Sequence, residues 1–425
     1  MPGVIAFDAG VTIIKGHQLF GVLLILSYLI ATLVGRQKFV FKLRWKYILP
    51  LIFLVYIFFS WTRSIALSGD VLVFGETMGN WGYRVANPAL LEFGAFNITQ
   101  SLYPIYGVLV YYVISASIDN VDDVLAVLKS FVYGSLVVAA VQIGFGILYT
   151  LGMGGLVESV YALLGMTGYS NPPASEVGRM ILVHSLAGEP GTAALMYLSS
   201  LSFLMLSSLS IRPEERGSSE YAVISILFVA LLFTGSTLSY FGLIVLIVIF
   251  LLLNIKYVTR IYSNTFLNLS KAALSAGVLL GAVWLVFRIV QVDRLTVASH
   301  AAKLTGSSSD MGVRWKALYH SIEHIYTHYP LFGVGYGSHI SPIMADALMV
   351  NTGIVGVTLF VSFVALVVGN SITMSIKIPI QNHFWLGVAS MNIIYFVCVL
   401  IGVGAGGMGL GPTWLLPALA AAVDR

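Results

Sequence analysis

The residues of this chain that could do acid–base or ionic chemistry are few and grouped. Arg179 and Glu189 lie in Gly178-Arg179-Met180 and Ser185-Leu186-Ala187-Gly188-Glu189-Pro190-Gly191, directly before the apolar run Thr192–Leu206. Pro190 suits the first turn of a helix, where a missing N–H costs no bond. Glu189 then falls at a helix N-terminus, a position that favours an anion. It reads either as a proton-transferring acid or base, or as a capping carboxylate paired with Arg179. A second group follows with Arg288, Asp293, Arg294 and Arg314. Arginines gathered on one side suit a phosphate or diphosphate, which guanidinium binds bidentately while staying charged. The plainer reading is snorkelling to lipid headgroups. The third group is the glycine-alternating stretch Pro330-Leu331-Phe332-Gly333-Val334-Gly335-Tyr336-Gly337-Ser338-His339, with Asp346 opening the apolar run that follows. Such glycines let backbone approach a ligand or another segment closely. His339 and Asp346 are each candidates for direct chemistry or for a structural role.

Between these groups, Ser309-Asp310 could cap a helix from Gly312 to about His328. Trp315, Tyr319, Ile322 and Tyr326 recur on it at helical spacing, so this stripe should pack against membrane spans or lie at the bilayer interface. His320-Ser321-Ile322-Glu323-His324 matches the H-x-x-E-H zinc pattern. Five residues match by chance easily, and no clear third ligand stands on a second helix, so no metal is expected. Trp81, Tyr83, Trp315 and Tyr336 could stack on sugar faces, although such aromatics also belong at membrane interfaces simply as anchors.

The elements that must position these groups follow from composition. Of 425 residues, 58% are hydrophobic and only 9% charged, against roughly 25% charged in a soluble domain. A soluble enzyme, a disordered chain and a disulfide scaffold are excluded. The net charge of +4 and the lack of a basic arm argue against nucleic acid, and the single Cys398 lies in an apolar run. Residues 1–16 lack a basic leader and a cleavage signature, and read as an outer segment or a shortened first span. Asn97-Ile98-Thr99 and Asn268-Leu269-Ser270 fit the glycosylation pattern.

Apolar runs of membrane-crossing length fall near 17–34, 47–66, 98–117, 130–150, 187–209, 220–234, 237–254, 272–290, 346–369, 383–403 and 411–423. Gly235-Ser236-Thr237 makes the sixth and seventh either two spans or one kinked structure. The expected fold is an all-α polytopic membrane protein of about 11 (10–12) spans, one transmembrane domain over residues 1–425, with 291–345 as a large outer loop containing short helices. Thirteen of the 22 basic residues, among them Arg36, Lys38, Lys42, Arg44 and Lys46, fall in short segments on one side. The positive-inside rule makes that side cytoplasmic. The long segments 67–97, 151–186 and 291–345 then face outward, where ATP is absent and a substrate must arrive activated.

In this order and at these depths, the motifs resemble those of the bacterial O-antigen ligase/polymerase superfamily. Arg179 followed by Gly188-Glu189-Pro190 is similar to the polymerase pattern that opens a span. Leu232-Phe233-Thr234-Gly235-Ser236 is similar to another span start, with Thr237 where Arg is common. Arg314-Trp315 and Pro330–Gly337 resemble the late loop, and Asn351-Thr352-Gly353-Ile354-Val355-Gly356 the span after it. The likeness covers roughly residues 170–370 by motif. It departs from ligases, whose His-Asn pair would fall on Pro342-Ile343, and is closest to Wzy-type O-antigen polymerases.

The resemblance implies a GT-C-like fold in the inner membrane, no cofactor, and catalysis at the periplasmic face. It implies an undecaprenyl-diphosphate-linked glycan as donor, transferred to a hydroxyl of an incoming lipid-linked repeat unit. Arg179, Arg288, Arg294 and Arg314 would hold the diphosphate. Glu189 would be the base, with His339 second and Asp346 orienting or replacing it. A chain-length regulator and a glycolipid flippase are the implied partners. The nearest rival is an O-antigen ligase acting on lipid A-core, separated by which product deletion removes. A rival of another class is a secondary transporter or lipid-linked glycan flippase.

Overall fold

The computed structural model describes residues 5–8, 13–35, 44–74, 88–118, 120–163, 174–177, 180–183, 190–207, 218–234, 236–258, 309–378, 381–402, 408 and 411–422. They are mostly helical. In chain order the helices are α1 (Gly16–Leu33), α2 (Trp45–Ala66), α3 (Ala95–Ser117), α4 (Val121–Thr150), α5 (Gly154–Leu163), α6 (Pro190–Ser207), α7 (Ser218–Phe233), α8 (Thr237–Val258), α9 (Ser309–His320), α10 (Met344–Lys377), α11 (Asn382–Gly402) and α12 (Gly411–Ala422). Every expected span except 272–290 falls on one of these; that one lies outside the described residues. Within α2, α4, α6, α10 and α11 lie five stretches long and apolar enough to cross a membrane, and shorter apolar stretches lie in α1, α7, α8 and α12. The chain is a multi-pass helical membrane protein. Short antiparallel pairs join β1 (Ile5–Asp8) to β2 (Ile13–Lys15), β3 (Leu72–Val73) to β4 (Ala89–Leu90), and β5 (Ala174–Val177) to β6 (Met180–Val183).

The chain divides into two compact units. One comprises residues 1–16, 122–301 and 371–395. In it α6 packs on α7 and α8, which are separate helices. Their junction is tied by Thr234 to Ser239, by the Ser236 amide to Thr234 Oγ1, and by the Leu238 amide to Ser236 Oγ. Small hydroxyl side chains let helices approach closely in an apolar medium. Ser200 donates to Ser135 at 2.9 Å, Ser202 pairs with Ser390, and Tyr197 donates to Gln142 at 2.7 Å.

The other unit comprises residues 17–121, 302–370 and 396–425. Its apolar contacts include Phe53 on Phe360, Tyr111 edge-on to Phe363, and Phe363 stacked on Trp414. At one end, Lys46 Nζ and Tyr47 Oη both donate to the Ala421 carbonyl, at 2.8 and 3.0 Å, and Asn370 donates to Ala420 at 2.7 Å. These donors satisfy the last turn of α12, whose carbonyls have no partner within the helix. The remaining candidate residues that the structure describes gather in this unit.

Candidate functional site

The site is built around an interruption in α10. Gly353 takes φ 63° and ψ −171°, a conformation essentially confined to glycine. The helix breaks there, freeing backbone groups that would be costly to leave unpaired in an apolar medium. The glycine loop of residues 330–339 satisfies them. Val334 N donates to Val350 O at 2.8 Å and Gly335 N to Asn351 O at 3.1 Å. On the far side of the break, Ile354 N donates to Pro330 O at 2.9 Å and Val355 N to Leu331 O at 3.2 Å. Tyr56 Oη takes the Thr352 carbonyl at 2.5 Å. The alternating glycines therefore serve approach to another protein segment. At Gly335, where φ is 103°, an added Cβ would overlap Ser64.

The loop is also pinned from α2 and α3. Ser60 Oγ accepts the Tyr336 amide at 3.0 Å. Asn97 Nδ2 donates at 3.0 Å to both the Tyr336 carbonyl and Ser338 Oγ, and Ser64 pairs with Ser338 at 2.8 Å. Asn97 is buried with its amide nitrogen engaged, so this glycosylation triplet does not present an acceptor. Asn268 lies outside the described residues. Tyr336 is buried too, and burial pushes its hydroxyl well above the usual phenol range. In this structure its ring is enclosed by protein.

This framework brings His339 and Asp346 together, with Nε2 and Oδ2 3.9 Å apart and both side chains fully buried. The Asn351 amide clamps the His339 peptide on both sides, accepting its N–H and donating to its carbonyl, each at 2.8 Å. Ser321 Oγ lies between the two side chains, donating to Asp346 Oδ2 at 3.1 Å and standing 3.4 Å from His339 Nε2. Tyr326 donates to Asp346 Oδ1, and the Ser341 hydroxyl also bonds this carboxyl group. The Phe74 amide donates to His339 Nδ1 at 3.3 Å. Desolvation, and secondarily His320, lowers the His339 pKa to about 3. The pair is therefore a neutral imidazole beside a carboxyl group, not an ion pair.

Ser321 and Tyr326 arrive from one wide π-helical turn, Ser321–Tyr326, that continues α9; such turns occur frequently at functional sites. Ala317, His320, Ser321 and Ile325 face inward, while Trp315, Tyr319 and Ile322 are exposed. The expected stripe is thus not the packed face, and of its members only Tyr326 reaches the site. The inward face is set by Ala317, packed with Phe74, and by Ile325, packed with Val71, Val73 and Leu91 of the β3–β4 region. His320 Nε2 lies 3.1 Å from the Leu72 carbonyl, and burial lowers its pKa. His324 and Glu323 are exposed, 3.8 Å apart. Among the described residues, no three His, Cys, Asp or Glu side chains are arranged to hold a metal ion.

Arg314 Nη1 donates to Pro342 O at 3.0 Å and lies 3.5 Å from Gly402 O. It is half-buried, beside the loop that carries His339 and at the C-terminal end of α11, where a cation is favoured. Arg179, Glu189, Arg288, Arg294, Trp81 and Tyr83 lie outside the described residues, as does His184. Sequence reasoning missed Phe74, Ser341 and the roles of Ser321 and Tyr326. It also missed Arg63, whose guanidinium lies over Tyr329 at 5.8 Å. Asn351 was noticed only as part of a motif. No protein-family model, curated protein or solved structure matches this chain.

Proposed function

We propose that this protein is a glycosyltransferase of the bacterial cytoplasmic membrane that polymerises undecaprenyl-diphosphate-linked repeat units at the periplasmic face. In the proposed step, an acceptor sugar hydroxyl attacks the anomeric carbon of the donor glycan. The bond from that carbon to the diphosphate oxygen breaks, the lipid diphosphate leaves, and the hydroxyl proton passes to a base. Arg314, with Arg179, Arg288 and Arg294, would stabilise the departing diphosphate.

The observation that carries this reading is the convergence of His339 and Asp346, from opposite sides of a loop turn, beside the anchorage of Arg314. His339 is poorly placed to accept a proton, because the Phe74 amide engages its unprotonated nitrogen. We assign the base to Asp346 or Glu189, and to His339 the role of orienting Asp346. Both side chains are fully buried, so the proposed step requires a movement that opens the cluster to substrate.

Purified protein reconstituted without any ion gradient should convert lipid-linked repeat units into longer lipid-linked oligomers. Asp346→Asn or Glu189→Gln should abolish this, whichever is the base, in protein that remains folded. If both variants polymerise normally, the assignment of the base fails. The break in α10 at Gly353 supports one second reading, because discontinuous membrane helices are a feature of secondary transporters. Absence of oligomers, together with gradient-driven uptake or flipping in sealed vesicles, would establish that reading instead.

A further inference from the structure

We infer that α9 and its π-helical extension form an interfacial helix whose Trp315, Tyr319 and Ile322 side chains insert into the bilayer. The exposed stripe is distinct from the inward side of the same segment, which supplies Ser321 and Tyr326 to the proposed site. The three residues are 55%, 66% and 48% exposed, on a segment whose opposite side is buried. An apolar stripe of this kind on a soluble surface would be an association hazard. Here its level in the molecule identifies what covers it. His320 bonds Leu72, six residues beyond the end of α2. Ile325 packs with Val71, Val73 and Leu91, the last only four residues before α3 begins, and with Val350 of α10. The segment therefore lies at the level where the membrane helices end.

Two further observations point to lipid. Leu331 and Phe332 are exposed just after the π-helical turn, and the Leu331 carbonyl is bonded to Val355, next to exposed Ile354 on α10. Exposed apolar residues are therefore also present where the loop after the π-helical turn meets a membrane helix. Flanking the stripe on its exposed polar side are Lys316 and Glu323. Trp and Tyr on one side with charged residues beside them is the pattern of a helix lying in the interface plane. Trp315 is thereby assigned to lipid contact instead of sugar stacking.

Trp315→Cys, Tyr319→Cys, Ile322→Cys, Lys316→Cys and Glu323→Cys variants of the full chain would each carry a nitroxide label after reconstitution into liposomes. Cys398 is buried, and unmodified protein serves as the labelling control. Collision with oxygen should exceed collision with an aqueous nickel chelate several-fold at 315, 319 and 322, and the order should reverse at 316 and 323. Equal access of the nickel chelate to all five positions would overturn the inference. So would shielding of the stripe from both reagents, which would mean a protein or glycan cover. As a measurement free of labels, brominated lipid should quench a smaller share of tryptophan emission in Trp315→Phe than in the unmodified protein. An unchanged share would also overturn it.

Discussion

The Phe74 amide donates to Nδ1 of His339, which leaves the proton of the neutral imidazole on Nε2, facing Ser321 and Asp346. A loop residue that carries no side-chain chemistry thus fixes the tautomer of the site's histidine, a role often filled by a backbone or carboxylate partner.

This arrangement has a pH signature. The His339 pKa, lowered by burial to about 3, lies below the unfolded value of about 6.5. Between those values the unfolded chain binds a proton that the folded chain rejects, so stability is full above about pH 6.5 and falls as pH drops toward 3. The loss from this group should approach roughly 1.4 kcal/mol per pH unit within that window. Thermal unfolding in detergent should show a shallower acid-side decline for His339→Gln than for the unmodified protein. His320, lowered in the same direction, contributes with the same sign.

Asn351 holds the His339 peptide by two hydrogen bonds and donates a third to Ala347 at 2.7 Å. Asn351→Leu leaves these buried groups unpaired, and each costs about 1–3 kcal/mol. A large drop in unfolding temperature is expected. Asn351→Asp keeps only the acceptor and should fall between the two. Equal stability of all three proteins would show that the clamp is not formed.

Substitution of Gly353 by alanine should weaken the junction of α10 and the loop. The side chain is strained at φ 63°, and its Cβ would overlap Leu331 backbone. Backbone strain of this sort costs on the order of 1–3 kcal/mol. Limited proteolysis should cut the 327–343 segment faster in Gly353→Ala, whereas Gly369→Ala, with open space around it, should behave like the unmodified protein.

Tyr326→Phe removes one donor to Asp346 and Ser321→Ala another. Either should reduce polymer formation in the reconstituted assay while leaving the unfolding temperature within a few degrees. The loss in the double variant should depart from the product of the single effects, because both act on one carboxyl group. Strict multiplicativity would indicate independent roles.

Much of the helical framework was legible because lipid-facing runs need a minimum length, and only 272–290 falls where no element is described. His339 and Asp346 stood out for a related reason, since charge is scarce in such a chain. Their partners did not. Ser321 was hidden inside a motif that reads as zinc-binding, and Tyr326 inside an apolar stripe. Helical periodicity predicts which residues share a face, but a π-helical turn changes the register partway along it. Phe74 contributes only a backbone N–H, and sequence carries no mark of which amide will be used. The glycines announced close approach without saying to what; the answer, a broken membrane helix, depends on tertiary pairing. Arg63 looked like any basic residue at the end of a span.

The pairing of the glycine loop with both sides of the α10 break has an evolutionary consequence. The loop is not a cassette. Its amides and carbonyls are matched to α10, while Ser60, Ser64 and Asn97 hold it from two other helices. Transplanting residues 327–343 onto another membrane scaffold would carry His339 but leave its orientation behind. Where relatives of this chain diverge, changes at position 335 should be accompanied by changes at 64, because the two cannot enlarge independently.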